Sequence, residues 1–336
     1  MSIKIAIIGA GLIGPRHAKS VINNPDTELI ALVDPMPAGV QTASDLGTNY
    51  YPSVSALLSS PHRPDAAIVC TPNQTHVPVA KELLSGNVHV LLEKPISNTI
   101  ETGHSLLSLA SAPEYAHLKL LVGHHRRFNP YVRATKSILE NGSLGRPIAV
   151  NGLWTLYKPD SYFVGIGDWR TSSARGGGVI PINLVHDIDL MHHFFGPITR
   201  VQAEGILPQR ESPTHDADEG ENPMIPKVES GSDFYRIFGS AGSLSVPDLT
   251  RWSYEKSGEK SWSAPLTVDR IELPDNAAPF DLQLAHFVDV IRGEAEPSCS
   301  GEEGLRALMV CEAVQRAMRT GQPVEINVDL LAGSKE

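Results

Sequence analysis

Apolar residues in the first third of the chain fall in short, nearly unbroken runs at 3–8, 28–33, 66–70, 88–92 and 119–122. A run that is apolar at almost every position suits a strand covered on both faces, as in a parallel sheet. Longer stretches with helical spacing lie between the runs, among them 77–84 and 99–111, and Asn98 is placed as the N-cap of the second. This alternation of strand and helix predicts a doubly wound α/β domain.

The pattern changes after Phe128. Asn129-Pro130 opens a helix to about residue 140, which Gly142 and Gly145 end. Strand-like runs follow at 147–156, 199–206, 233–238, 243–246 and 266–273, and two helical patterns close the chain at 280–292 and 301–320. In the last of these Leu305, Leu308, Met309, Glu312 and Ala313 form a stripe expected to be core. The order predicts an α+β unit on a mostly antiparallel sheet, dividing the chain into 1–125 and 126–336. The polar, acidic stretch 209–232 reads as a long surface loop or a lid.

At 336 residues the chain is too long for one small core. A formal charge of -10 argues against a nucleic-acid surface, which needs a basic stripe, and no stretch matches the roughly 20 apolar residues of a membrane helix. The apolar run 5–14 is cut by Gly9, Gly11 and Gly14, so it reads as strand and turn rather than a signal core. The three cysteines, Cys70, Cys299 and Cys311, show no metal or disulfide spacing and are expected to be reduced, which fits a cytoplasmic protein.

Gly9-Ala10-Gly11-Leu12-Ile13-Gly14 follows a strand and opens a helix. In that setting backbone N–H groups and the helix N-terminus can approach a pyrophosphate. Asp34 ends the second run about twenty residues beyond Gly14, where a carboxylate accepts the 2′-hydroxyl of an NAD ribose. Pro35-Met36-Pro37 offers no cation for a 2′-phosphate, so NAD is expected over NADP. Thr71-Pro72-Asn73 follows the third run and can hydrogen-bond a ribose or nicotinamide, or form a plain turn.

Glu93-Lys94-Pro95 ends the run 88–92. A lysine at the mouth of a buried strand can accept a hydroxyl proton, or as an ammonium stabilise an alkoxide. Glu93 is expected to hold the lysine or touch the cofactor ribose. A second constellation runs from Gly176-Gly177-Gly178 to His186-Asp187-Ile188-Asp189. Asn183 and His186, three positions apart, are expected close to one helix face, with His186 suited to general acid/base work. Asp187 and Asp189 are expected to meet helix-end groups or solvent. The doublets His124-His125 and His192-His193 lack a metal-ligand spacing, and no metal is expected.

The ordered set of Gly9-x-Gly-x-x-Gly14 with His17-Ala18, Thr71-Pro72-Asn73 with His76, Glu93-Lys94-Pro95, 122–130, Gly176-Gly177-Gly178 with His186, and 301–305 resembles the glucose-fructose oxidoreductase / inositol dehydrogenase (Gfo/Idh/MocA) family. The resemblance implies a Rossmann domain followed by an open-faced sheet domain, NAD(P)-dependent redox at a sugar or polyol hydroxyl, and dimers or tetramers formed through the sheet. It implies Lys94 and His186 as the catalytic pair, His76 at the cofactor, and Arg127 and Asn129 near cofactor or substrate. It also exposes a departure. The inositol-dehydrogenase pattern has an aspartate four residues before the histidine, and here that position is Ile182, with Asn183 beside it.

Further substrate-binding candidates are His125, Lys158, Asp168, Trp169, Arg170 and Tyr235. Arg170, Arg175 and Lys158 suit a carboxylated ring such as quinate or shikimate as well as a polyol. The expected function is an NAD-dependent dehydrogenase of a cyclic polyol or sugar. A ring-acid dehydrogenase and a non-catalytic NAD-sensing regulator are the rivals.

Overall fold

In the computed structural model the expected apolar runs become a parallel sheet, one strand larger than the periodicity shows. The structure describes residues 2–153, 177–205, 234–255, 260–273 and 277–327. The first sheet comprises β1 (Ile3–Ile8), β2 (Thr27–Val33), β3 (Asn49–Tyr51), β4 (Ala66–Val69), β5 (His89–Glu93) and β6 (Leu120–Gly123). Its order is β3-β2-β1-β4-β5-β6, and every pairing is parallel. The three-residue β3 escaped the sequence reading because its half-exposed Asn-Tyr-Tyr carries no apolar run.

Helices α1 (Gly14–Asn23), α2 (Ala38–Asp45), α3 (Val54–Leu58), α4 (His76–Ser85) and α5 (Ile100–Ala110) connect these strands. The N-cap of α5 is Thr99, whose hydroxyl accepts from the Thr102 N–H, one residue beyond the expected Asn98. Alternate side chains of the strands feed two cores, one on each face of the sheet. The strand order reverses between β1 and β4, and ligands of such sheets bind at the carboxyl ends beside that switch point.

The second half begins with α6 (Pro130–Glu140) and β7 (Pro147–Gly152). After them come α7 (Val185–Phe195), β8 (Arg200–Val201), β9 (Tyr235–Gly239), β10 (Gly242–Val246), β11 (Thr250–Ser253) and β12 (Thr267–Arg270). The antiparallel sheet has the order β12-β11-β10-β9-β7. Strand β11 was not expected, since Thr-Arg-Trp-Ser has no apolar alternation, and of the run expected at 199–206 the described residues form strand at Arg200–Val201.

One face of this sheet packs Ile237, Leu244 and Val246 against Val132 and Ile138 of α6 and Leu190 and Phe194 of α7. The opposite face leaves apolar side chains in water, Phe238 at 43% and Val268 at 58% exposure.

The chain closes with α8 (Pro279–Arg292), α9 (Gly301–Thr320) and β13 (Val324–Glu325), which pairs with β8. Both closing helices return to the first sheet. Leu284, Phe287 and Val288 join one of its cores, and Leu305, Leu308 and Val310 join the other. α8 and α9, from beyond the expected division at 125/126, thus pack on the first sheet. α9 starts with a reciprocal cap in which the Ser300 hydroxyl accepts from the Glu303 N–H and the Glu303 carboxylate accepts from the Ser300 N–H.

Candidate active site

The glycine loop closes the end of β1 because two of its glycines have no room for a side chain. Gly9 has a φ of 106°, and a Cβ there would meet the Cys70 carbonyl oxygen at 2.8 Å. A Cβ on Gly14 would meet the Gly9 carbonyl oxygen at 2.0 Å. Gly11 is different: its Cβ would enter open space, so the loop presents bare backbone outward beside the α1 N-terminus. That is the cradle a pyrophosphate requires. Leu12 stands exposed on it, and Pro15 occupies the first turn of α1 without costing a hydrogen bond.

Asp34 lies against this loop. Its Oδ2 accepts from the Ala10 N–H at 2.6 Å and its Oδ1 from the Met36 N–H at 2.8 Å, while the Tyr50 hydroxyl donates to its carbonyl at 2.8 Å. Asp34 has no ion-pair partner among the described residues. Across the switch point Thr71-Pro72 lead into a tight turn at Asn73–Thr75, with Asn73 buried and the Thr71 hydroxyl buried without a partner. These residues fit a dinucleotide, with Gly11 to Gly14 at the pyrophosphate, Asp34 at a ribose, and Thr71 offering an unspent hydroxyl.

His76, expected at the cofactor, does another job. Its ring is buried and lies 2.7 Å by Nδ1 from the Pro95 carbonyl and 2.9 Å by Nε2 from the Thr71 carbonyl. It ties the loop after β4 to the loop after β5 and has no nitrogen left for a ligand.

Strand β5 delivers Glu93 into the interior and Lys94 to its rim. Glu93 Oε1 accepts from His17 Nε2 at 2.9 Å. Burial pushes the Glu93 carboxyl up, but the hydrogen bond from His17 and the electrostatic influence of His17, His125 and Lys94 outweigh it and hold the pKa at about 2. Lys94 Nζ donates to the Ile182 carbonyl at 2.5 Å. Position 182, which lacks the carboxylate of the resembled pattern, thus meets the lysine through its backbone.

Ile180–Leu184 form a π-helical turn just before α7, a wide turn frequent at functional sites. Asn183 lies half-buried in this turn and makes no hydrogen bond to His186 Nδ1.

His186, in the first turn of α7, is buried and its Nδ1 has no hydrogen-bond partner. Burial, then the charge of Lys94, then Arg126, His125 and His124, hold its pKa well below the ordinary imidazole value. It is therefore a neutral imidazole near pH 7, able to accept a proton. The His125 ring lies 5.0 Å from His186 and stacks on Phe280 at 4.4 Å. Phe280 also meets the edge of His17 at 4.9 Å and carries the Arg16 guanidinium at 4.1 Å. Burial drives His125 down to about 4.

Other expectations are corrected. Arg127 is buried and spends its donors inside the protein, on both carboxylate oxygens of Asp189 at 2.9 and 2.6 Å, on Glu303 at 2.9 Å and on the Ser298 carbonyl. It rivets the β6 end to α7 and the start of α9, so it cannot also reach a cofactor. Asp187 and Asp189 likewise face inward rather than solvent, with Asp187 accepting from Arg126 at 3.0 Å and from the Tyr235 hydroxyl. That bond spends the Tyr235 hydroxyl, so Tyr235 braces Asp187 instead of offering a free group to substrate.

Ligand atoms of His124, Asp189 and Cys299 lie within 4.8 Å of one another. Arg127 occupies both oxygens of Asp189, however, and burial raises the Cys299 thiol. The cluster is arranged as an ion pair rather than a metal site. Lys158, Asp168, Trp169, Arg170, Arg175, Gly176 and the 209–232 stretch lie outside the described residues.

The sequence reading gave no role to His17, His124 or Phe280. His17 sits one helical turn after Gly14, a spacing that aims it under the glycine loop toward β5. Phe280 arrives from the far end of the chain and has no local signal.

Residues 3–124 match the NAD-binding Rossmann fold of the Gfo/Idh/MocA oxidoreductase family, and 132–221 and 223–326 match two C-terminal domains of that family. The chain belongs to the Gfo/Idh/MocA oxidoreductase family. It is 23% identical to inositol 2-dehydrogenase of Rhizobium meliloti (strain 1021), covering 97% of this chain and 100% of the relative. It is 26% identical to 1,5-anhydro-D-fructose reductase of Ensifer adhaerens, covering 96% and 98%. The WlbA dehydrogenase of Bordetella pertussis, solved with NADH and UDP-GlcNAcA, shares the fold at a TM-score of 0.76 and 23% identity, over 97% of this chain and 99% of that one. No helix among the described residues is long and apolar enough to cross a membrane.

Proposed function

We propose that this family member is an NAD-dependent dehydrogenase that oxidises a secondary hydroxyl of a cyclic polyol or sugar. The observation that carries the reading is that Lys94, just past the carboxyl end of β5, bonds the Ile182 carbonyl one turn before the buried His186. The charge of Lys94 also helps keep His186 a neutral imidazole. Inositol dehydrogenases among the relatives of similar length support the substrate class.

When bound, the nicotinamide supplies the hydride acceptor. Lys94, anchored on the Ile182 carbonyl, orients the substrate hydroxyl and stabilises negative charge as its proton departs. His186 accepts that proton. His125, stacked on Phe280, presents a flat ring beside His186. Asp34, with no cation paired to it among the described residues, favours the free ribose hydroxyl of NAD over a 2′-phosphate. Residues 1–125 hold the dinucleotide, and 126–336 supply the substrate side, with the last two helices leaning back on the first unit. A cytoplasmic location is part of this proposal, resting on cysteines that remain free.

We also propose that a second copy covers the exposed apolar face bearing Phe238 and Val268, giving a homodimer or homotetramer. Sedimentation of Phe238→Glu tests this: a lighter species is expected, and an unchanged mass contradicts it.

The deciding experiment is a turnover screen of inositols, free sugars, quinate and shikimate with NAD+ and with NADP+. Oxidation of a polyol or sugar with NAD+ preferred is the expected result. A ring acid as the only substrate moves the substrate class, and NADP+ preference removes the role given to Asp34. Tight NAD binding with no turnover on any of them favours a nucleotide-sensing regulator.

A further inference from the structure

The turn that leaves β2 folds back onto Asp34. Asp34 Oδ1 accepts from the Met36 N–H at 2.8 Å, and the Met36 carbonyl accepts from the Gly39 N–H at 2.9 Å. Gly39, in the first turn of α2, is buried between two exposed neighbours, Ala38 and Val40. A Cβ placed on Gly39 would lie 2.6 Å from the Asp34 Cβ, 3.4 Å from its Cγ and 3.2 Å from Cε2 of Tyr50.

Such a contact cannot be relieved at the tip of a flexible side chain. The Asp34 Cβ is fixed to a backbone whose N–H donates to the Tyr51 carbonyl at 3.1 Å and whose carbonyl accepts from the Tyr50 hydroxyl at 2.8 Å. At an ordinary helical position alanine is favoured over glycine. The backbone of Gly39 is ordinary helix with no positive φ, so close approach to Asp34 is what keeps a glycine there.

The pose of the carboxylate follows from that approach. Oδ2 accepts from the Ala10 N–H at 2.6 Å and Oδ1 from Met36, so each oxygen keeps a second lone pair. Two adjacent acceptors fixed beside the glycine loop suit the neighbouring hydroxyls of a ribose and repel a 2′-phosphate.

We propose that Gly39 is a specificity-determining residue for the dinucleotide. By carrying no side chain it lets α2 close on Asp34 and hold the carboxylate against the glycine loop, in the pose that takes NAD and refuses NADP. Gly39 is a positioning residue, acting through Asp34. Any side chain at position 39 pushes the carboxylate out of that pose or moves α2 away from it. The inference rests on the reading of this chain as NAD-dependent and adds to Asp34 the residue that aims it.

The test compares Gly39→Ala, Asp34→Gly and the double variant, with NADH and NADPH affinities measured by fluorescence titration in the absence of substrate. In Gly39→Ala, NADH is expected to bind about tenfold more weakly, as for the loss of a hydrogen bond to a charged group, while NADPH binds as well as before or better. Asp34→Gly removes both the carboxylate and the Cβ that the alanine would strike. Adding Gly39→Ala to it is therefore expected to leave both affinities, and the melting temperature, close to those of Asp34→Gly alone.

A Gly39→Ala protein with an unchanged ratio of the two affinities overturns the proposal, whether both fall together or neither moves. So does a double variant that binds NADH more weakly, or melts lower, than Asp34→Gly. If Gly39→Ala fails to fold, the double variant decides: folding like Asp34→Gly supports the contact, and failing as well overturns it. An unmodified protein that binds NADPH as tightly as NADH counts against the NAD reading itself and takes this inference with it. A preference for NADH that survives Gly39→Ala overturns the inference alone.

Discussion

Replacing His17 by Phe removes its hydrogen bond to the buried Glu93 carboxylate while keeping a ring against Phe280. Glu93 is 8% exposed and held at about 2 against an ordinary 4.5. At about 1.4 kcal/mol per pH unit, that depression is worth about 3 kcal/mol of folding free energy at neutral pH. A carboxyl whose pKa is lowered on folding adds stability that is present above about 4.5 and lost as pH falls toward about 2. In His17→Phe burial acts with less opposition, and the pKa of Glu93 rises.

The variant is therefore expected to lose up to about 3 kcal/mol at pH 7, since Lys94 and His125 remain, and the gap to the unmodified protein is expected to narrow as pH drops below about 4.5. Urea unfolding at a series of pH values measures this directly. A loss that stays constant from neutral to acid pH, or no loss at pH 7, refutes the reasoning. The first result would mean that His17 acts through packing alone, and the second that water already satisfies Glu93.

Arg127→Met strands Asp189 in the interior and is expected to cost about 4 kcal/mol, while Arg127→Met with Asp189→Leu recovers much of it; chemical denaturation of the three proteins checks the recovery. Gly14→Ala drives a Cβ onto the Gly9 carbonyl and is expected to weaken NADH binding at least tenfold, measured by NADH fluorescence. Asp34→Ala is expected to narrow the preference for NAD+ over NADP+, read as the ratio of kcat/KM for the two.

The first sheet was legible because its strands are buried on both faces, which leaves apolar runs that need no partner to be recognised. β3 and β11 were not, being short, half-polar and strand only through the neighbours they pair with. The glycine loop and Glu93-Lys94-Pro95 were legible as local motifs whose chemistry follows from place at a strand end. The supports of the site were not. His17 under Glu93, Phe280 under His125 and Asp189 behind His124 are contacts between distant segments, and nothing in the sequence near either partner marks them. Arg127 misled for the same reason: a basic residue at a strand end reads as ligand-binding until its acidic partners appear.

Lys94→Ala tests the central claim most directly, with NADH affinity and turnover on the screened substrate measured on the same preparation. Affinity within about threefold and a kcat lowered about a thousandfold are expected, since the lysine acts on the reacting hydroxyl and not on the dinucleotide. Turnover equal to that of the unmodified protein would contradict the account.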